Sequence, residues 1–245
     1  MTDVAIIGGT GLTSLPGLEI RRREVVSTPY GEPSGPVTHG EFCGRDVTFL
    51  ARHGYGHTIP PHKVNYRANL WALKSIGIRR IISVAAVGAI DKSLKPGTLA
   101  FPDQIIDYTW SRQHTFFETD LESVTHIDFT QPYCGELRDD LVKAAVQAGI
   151  HAADSGTYGA VQGPRLESAA EINRMERDGC HMVGMTGMPE TALARELELS
   201  YACCAVIANW AAGRGDIDIH ADIEAHLTAG MEQVRSLLAT LIPLL

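Results

Sequence analysis

The residues best suited to chemistry in this chain sit in short polar clusters that follow apolar runs. The first cluster is Gly8-Gly9-Thr10-Gly11, directly after Val4-Ala5-Ile6-Ile7. Glycines let the backbone approach a ligand closely, and successive N–H groups in such a turn form an anion nest that the Thr10 hydroxyl completes. Phosphate is the natural guest. The spacing fits neither Gly-x-Gly-x-x-Gly, because no glycine stands three residues after Gly11, nor Gly-Lys-Ser/Thr. A glycine corner after a buried strand is also a purely structural device, so the turn needs company. It finds it in Arg52-His53, which follow Val47-Thr48-Phe49-Leu50-Ala51 in a loop loosened by Gly54 and Gly56. A guanidinium fork and an imidazole together suit the oxygens of an oxyanion, and the alternative is a solvated loop with one salt bridge.

Further along, Ala85-Ala86 offer a narrow backbone shelf after an apolar run. Met185-Thr186 precede Pro189 and a helical pattern, which places the Thr186 hydroxyl at a positive helix end. Asn209 closes the most apolar run in the chain. A buried amide there needs a partner, either a ligand or the turn into Ala211-Ala212-Gly213.

The elements that must position these groups follow from periodicity and stop signals. Strands are expected over 4–7, 47–51, 80–88, 99–108, 157–161 and 201–209. Helices are expected over 65–76, 136–148 and 167–178, from Pro189 through 197, and over about 221–241. Alternating strands and helices imply an α/β fold with a largely parallel central sheet, and ligands in such sheets sit beyond the strand ends.

Composition bounds the partners. The chain has 245 residues, 44% hydrophobic and 20% charged, and its 12 prolines are scattered rather than gathered at a linker, which favours one domain over 1–245. A net charge of −8 argues against nucleic acid or an anionic membrane as main partner. Cys43, Cys134, Cys180, Cys203 and Cys204 have no metal-ligand spacing, so no metal is expected. A reducing cytoplasm suits them, with Cys203-Cys204 as buried filler. No run approaches a membrane-spanning length.

The blocks IIGGTGL, LARHGYGH with KVNYRANLWALK, KPGTLAFPDQIID, HIDFTQPYC, QGPRLES, and VGMTGMPE before ALARE resemble the methylthioadenosine phosphorylase branch of the trimeric purine nucleoside phosphorylases, nearly end to end. The resemblance implies a single α/β domain with a central mixed sheet flanked by helices, a second small sheet, a homotrimer, and phosphorolysis of a purine nucleoside without a cofactor, inorganic phosphate being the co-substrate. Carried over by position, the phosphate site falls on Thr10, Arg52, His53, Ala85, Ala86 and Thr186. Met185 lies under ribose and base, and His126 reaches a neighbour's 5′ group. Ala85 departs from the family, which usually has a hydroxyl there.

A second departure bears on the base. The family strand that ends here in Asn209-Trp210-Ala211 closes with two aspartates one residue apart, acceptors that suit adenine's amino group and a protonated N7. Asn209 instead accepts from N7–H and donates to O6, and Ala211 offers no acceptor. The expected substrate is therefore methylthioinosine, cleaved to hypoxanthine and 5-methylthioribose 1-phosphate. Bound phosphate attacks C1′ while Asn209 stabilises the departing base. Inosine or guanosine, methylthioadenosine, and a binder without catalysis are the alternatives. Asp216-Ile217-Asp218-Ile219-His220 is expected near the 5′ pocket, where His220 suits a hydroxyl.

Overall fold

A computed structural model describes residues 3–119, 121–216 and 218–245. The strands are β1 (Val4–Gly8), β2 (Glu19–Glu24), β3 (Val37–Phe42), β4 (Arg45–Ala51), β5 (Arg80–Ala89), β6 (Leu99–Ala100), β7 (Gln104–Asp107), β8 (Ala152–Ala153), β9 (Thr157–Ala160), β10 (Met182–Gly184) and β11 (Ser200–Trp210). The helices are α1 (Tyr66–Ser75), α2 (Gly135–Gln147), α3 (Ala169–Arg177), α4 (Gly187–Glu196) and α5 (Ile219–Leu241).

Among the described residues the strands form one 11-stranded mixed sheet, with main path β2-β3-β4-β1-β5-β10-β9-β7. β1, β4, β5 and β11 run parallel at its centre. They are buried on both faces, which is why they read as continuous apolar runs. The expected smaller sheet is not separate: β11, β6 and β8 form a branch that joins the main path where β11 pairs with β5.

Two large apolar clusters flank the sheet. In β11 the residues alternate between them: Cys203, Ala205 and Ile207 face one, while Ala202, Cys204 and Val206 face the other. α5 seals the second cluster with Met231, Val234, Leu237, Leu238 and Leu241.

Local signals set the element boundaries. Asn65 caps α1 by accepting from the Ala68 N–H at 3.0 Å. Ser168 and Glu171 form a reciprocal capping box, so α3 begins at Ala169, two residues past the expected start. The strand expected over 99–108 is interrupted at residues 101–103, where Pro102 lacks the N–H a ladder requires. β2, β3, β8 and β10 were outside the sequence pattern: β2 is exposed and charged, and β8 and β10 are too short to show a period.

Candidate active site

The C-terminal ends of the central strands open into a cavity of about 510 Å³. Thr10, Arg52, His53, Ala85, Ala86, Met185, Thr186 and Asn209 all line it, so groups spread over some two hundred positions of sequence converge. The glycine turn after β1 is required by close packing. A Cβ on Gly9 would lie 2.6 Å from the Val84 carbonyl oxygen and 2.8 Å from Arg52 Nη1.

Arg52 is wholly buried, and its fork is not free for a ligand as the sequence suggested. Nε donates to Glu190 Oε2 at 2.7 Å and Nη2 to Glu190 Oε1 at 2.8 Å. Nη2 also donates to Ser83 Oγ at 2.6 Å, and Nη1 to the Val84 carbonyl at 2.9 Å. Five N–H bonds are available on a guanidinium, so only one Nη1 hydrogen remains, on the side where the glycine turn passes. A bidentate clamp on an oxyanion is excluded by this geometry, because Glu190 has taken that role.

Glu190 itself is buried at 0% exposure and was not singled out by sequence. It also accepts from Ser83 Oγ at 3.0 Å and from the Tyr201 hydroxyl at 2.7 Å. Burial pushes its carboxyl up, but the charge and hydrogen bonds of Arg52, with those of Tyr201 and Ser83, outweigh burial and hold it below the usual range. The pair is ionised and self-contained.

His53 is set by its backbone. Nδ1 lies 2.8 Å from the Ile59 carbonyl oxygen, which only accepts, so Nδ1 carries the hydrogen. Burial, then the positive charge of Arg52, pushes the imidazole down to about 4. It is therefore neutral at physiological pH, with Nε2 as an acceptor. Thr10 Oγ1 lies 3.0 Å from His57 Nε2, a partner on the same loop as His53.

Thr186 occupies the N-cap position of α4, and its side chain makes no capping bond. Met188 departs from helical geometry (φ −117°, ψ 141°), so regular turns begin at Pro189, where the sequence places them. Thr186 lines the cavity beside the helix's positive end, where its N–H donates to the Tyr158 hydroxyl at 3.4 Å.

At the far end, Asn209 Nδ2 donates to the Trp210 carbonyl at 2.7 Å, leaving one amide hydrogen and Oδ1 for a ligand. A register shift in β11 between Ile207 and Asn209 carries both Ala208 and Asn209 to the cavity wall. Glu167, which sequence reasoning did not assign, lines the same cavity. Burial, followed by the nearby Glu171 charge, pushes its carboxyl up. The only signal for it was its place within the QGPRLES block.

Not every assigned residue lies at the cavity of its own chain. Ala211 is 2% exposed and packs with Ile90, Ile172, Met175, Cys180 and Val183 instead of lining the cavity. Its methyl fills core volume behind Gly88, whose Cα carries no Cβ to collide with it. His220 is exposed in the first turn of α5 and does not line the cavity, because Asp218 caps the helix by accepting from the His220 and Ala221 N–H groups and starts it two residues before the expected point. Ile223, one turn further along, lines the cavity in its place. Ile217 lies outside the described residues. His126 is exposed and does not reach its own chain's cavity. Among the described residues no three His, Cys, Asp or Glu side chains gather as a metal ion requires, and no helix is long and apolar enough to cross a membrane.

The glycine turn, Arg52, His53, Thr186 and Asn209 thus share one cavity at the strand ends. The chain belongs to the phosphorylase superfamily, whose family model matches residues 3–243. It is 55% identical over 243 residues to a probable S-methyl-5′-thioinosine phosphorylase of Pseudomonas syringae pv. tomato, covering 99% of each chain. It is 44% identical to the 6-oxopurine nucleoside phosphorylase of Pyrococcus furiosus, covering 100% of this chain and 94% of that protein. Among solved structures, a serine-to-threonine mutant of the adenosine/methylthioadenosine phosphorylase of Schistosoma mansoni, in complex with methylthioadenosine, superposes with a TM-score of 0.93 at 32% identity, covering 100% of this chain and 91% of that one. The protein is a purine nucleoside phosphorylase-type pentosyltransferase.

Proposed function

We propose that this protein phosphorolyses S-methyl-5′-thioinosine, releasing hypoxanthine and 5-methylthioribose 1-phosphate. The observation that carries the base assignment is that Asn209 and Glu167 both line the cavity. A 6-oxopurine presents N1–H as a donor and O6 as an acceptor, and its N7 becomes a donor as the base departs. Asn209 Oδ1 accepts from N7–H, its remaining amide hydrogen meets O6, and Glu167 accepts from N1–H. Adenine reverses two of these polarities. Its N1 is a lone pair facing a carboxylate, and its amino group sets a donor against the Asn209 amide hydrogen that O6 would accept.

Glycosidic cleavage leaves oxocarbenium character on the sugar and negative charge on the base. The cradle supplies the nucleophile, as phosphate held near C1′ by Thr10, the single Arg52 N–H, the Ala85-Ala86 shelf and Thr186. Asn209 relieves the charge on the base. No side-chain nucleophile and no cofactor enter. Met185, half-buried on the wall, packs under the sugar and base.

The 5′ end is apolar. Ile59, Pro60, Pro61 and Ile223 line the cavity, and no charged side chain of α5 does, which favours a methylthio group over a hydroxyl. The name of the Pseudomonas syringae relative supports the same choice, and that of the Pyrococcus furiosus relative supports the 6-oxopurine base. We assign a homotrimer in which His126, exposed and outside its own cavity, reaches a neighbour's 5′ pocket. The five free cysteines fit a reducing cytoplasm.

The test is a panel of methylthioinosine, methylthioadenosine, inosine, guanosine and adenosine, each with and without phosphate. Methylthioinosine should give the highest kcat/KM, with base released only when phosphate is present. Equal or faster cleavage of methylthioadenosine would remove the base assignment. A preference for inosine would remove the 5′ assignment alone.

A further inference from the structure

Arg112, in the stretch after β7, is buried and does not line the cavity. Its guanidinium nonetheless spends all of its N–H bonds on neutral oxygens close behind the cavity wall. Nε donates to Gln162 Oε1 at 3.1 Å, Nη1 to the Met185 and Met188 carbonyls at 2.9 and 2.6 Å, and Nη2 to the Val161 and Gln162 carbonyls at 3.2 and 2.8 Å. Nη1 also approaches the Tyr66 hydroxyl at 3.4 Å, and the guanidinium stands 5.6 Å from the centroid of that ring. The Tyr66 hydroxyl in turn donates to the Pro61 carbonyl at 2.9 Å. Ser111, between exposed Trp110 and buried Arg112, takes the left-handed conformation (φ 55°) that residues other than glycine rarely adopt.

These partners belong to separate walls of the cavity. Val161 and Gln162 open the segment that carries Leu166 and Glu167, Met185 forms a second wall, and Pro61 lies on the apolar side. The walls touch at Gly163, where a Cβ would lie 2.5 Å from Met185 Sδ and 3.1 Å from Pro61 Cγ. Residues 161–168 form neither helix nor strand, so their spacing from Met185 must be fixed by contacts from outside the segment. The Val161 N–H donates to the Gly184 carbonyl at 2.8 Å, and the guanidinium fastens both sides from behind.

We propose that Arg112 is a positioning residue for the nucleoside, holding the Glu167 segment and the Met185 wall at the spacing that a base and its sugar require. This rests on the nucleoside reading of the same cavity. A planar fork serves carbonyls on two sides at once, whereas a lysine ammonium carries three hydrogens at one point and leaves acceptors on one side unmet. Small displacements of groups that hold a substrate are costly even when the change is made away from the chemistry. Thr10, Arg52 and the Ala85-Ala86 shelf belong to β1, β4 and β5 and the turns after them, which the guanidinium does not touch. Loss of the fork should therefore be felt by the nucleoside far more than by phosphate.

The experiment measures base release from methylthioinosine by Arg112→Lys, varying nucleoside at saturating phosphate and then phosphate at saturating nucleoside, with folding followed by circular dichroism. The nucleoside KM should rise roughly tenfold or more, while kcat and the phosphate KM stay within about threefold of wild type. A folded Arg112→Lys enzyme with the wild-type nucleoside KM overturns the proposal, as does an equal rise in both KM values, the mark of a general loosening. Should Arg112→Lys fail to fold, Gln162→Met decides, since it removes only the side-chain acceptor of Nε. That variant should raise the nucleoside KM by roughly threefold with the phosphate KM unmoved, and the absence of such a rise overturns the assignment. A wild-type enzyme that releases no base in the presence of phosphate would overturn the nucleoside reading, and the role of Arg112 with it.

Discussion

At the oxyanion end of the cavity nearly every polar atom already has a protein partner, whereas at the base end Asn209 Oδ1 has none among the described residues and Glu167 meets only its own backbone N–H. The first region is assembled before any ligand arrives. Arg52, Ser83, Glu190 and Tyr201 draw on four separate elements and close on one another in a site from which water is excluded. The second region is a pair of polar groups on an otherwise apolar wall. Preorganisation at the reacting end avoids reorganisation when charge develops. Unspent hydrogen-bonding capacity at the other end turns the identity of the base into binding energy. Chemistry and specificity are thus housed in regions of opposite construction.

The largest effect on this contrast should come from Arg52→Ala. Removing the guanidinium strands Glu190 as a buried carboxylate without its counter-charge, and breaking such a pair typically costs about 3–5 kcal/mol. Chemical denaturation should register the loss directly, alongside loss of phosphate-dependent turnover. Wild-type stability in this variant would mean that the cradle is not held by the pair.

A smaller effect, chiefly on specificity, is expected at the base end. Asn209→Asp replaces the amide that meets O6 with a second acceptor, and should shift the methylthioinosine to methylthioadenosine kcat/KM ratio toward adenine by roughly 10-fold to 100-fold, with a loss of stability of about 1–3 kcal/mol because the Trp210 carbonyl loses its donor. A ratio that does not move breaks the assignment of Asn209 to the base. Adding Ala211→Asp is less informative than the sequence suggested, since it would place a carboxylate in the apolar cluster formed by Ile172, Met175 and Val183.

The smallest effect concerns the sugar end. Ile223→Asn should lower methylthioinosine kcat/KM relative to inosine by roughly 10-fold, the order expected when one apolar contact is exchanged for a polar one. An unchanged ratio would remove α5 from the 5′ pocket.

The sequence revealed much of this plan and concealed specific parts of it. The parallel core strands were readable because burial on both faces gives unbroken apolar runs, and the loops after β1 and β4 announced themselves through glycine, arginine and histidine. Glu190 was invisible because a glutamate in the first turn of a helix ordinarily faces water, and only the tertiary meeting with Arg52, 138 positions away, makes it structural. His220 and Ile223 show the limit of a boundary estimate. A helix that starts two residues early turns a different face inward, so the histidine points out and the isoleucine points in. Ala211 failed for a related reason, since one irregular step in β11 decides which residues leave the core.

That irregular step reaches beyond the geometry of one side chain. From Tyr201 to Ile207 every position of β11 is committed to one of two packed clusters, and exchange there disturbs the interior. Past the shift, Asn209 leaves that alternation: its amide is tied to the Trp210 carbonyl, while its Oδ1 has no protein partner among the described residues and lines the cavity. The strand therefore ends in a position that inheritance can edit cheaply. A change of base preference requires no renegotiation of the core, and a lineage can pass between purines while keeping its architecture intact. The named relatives include 6-oxopurine, methylthioinosine and methylthioadenosine phosphorylases.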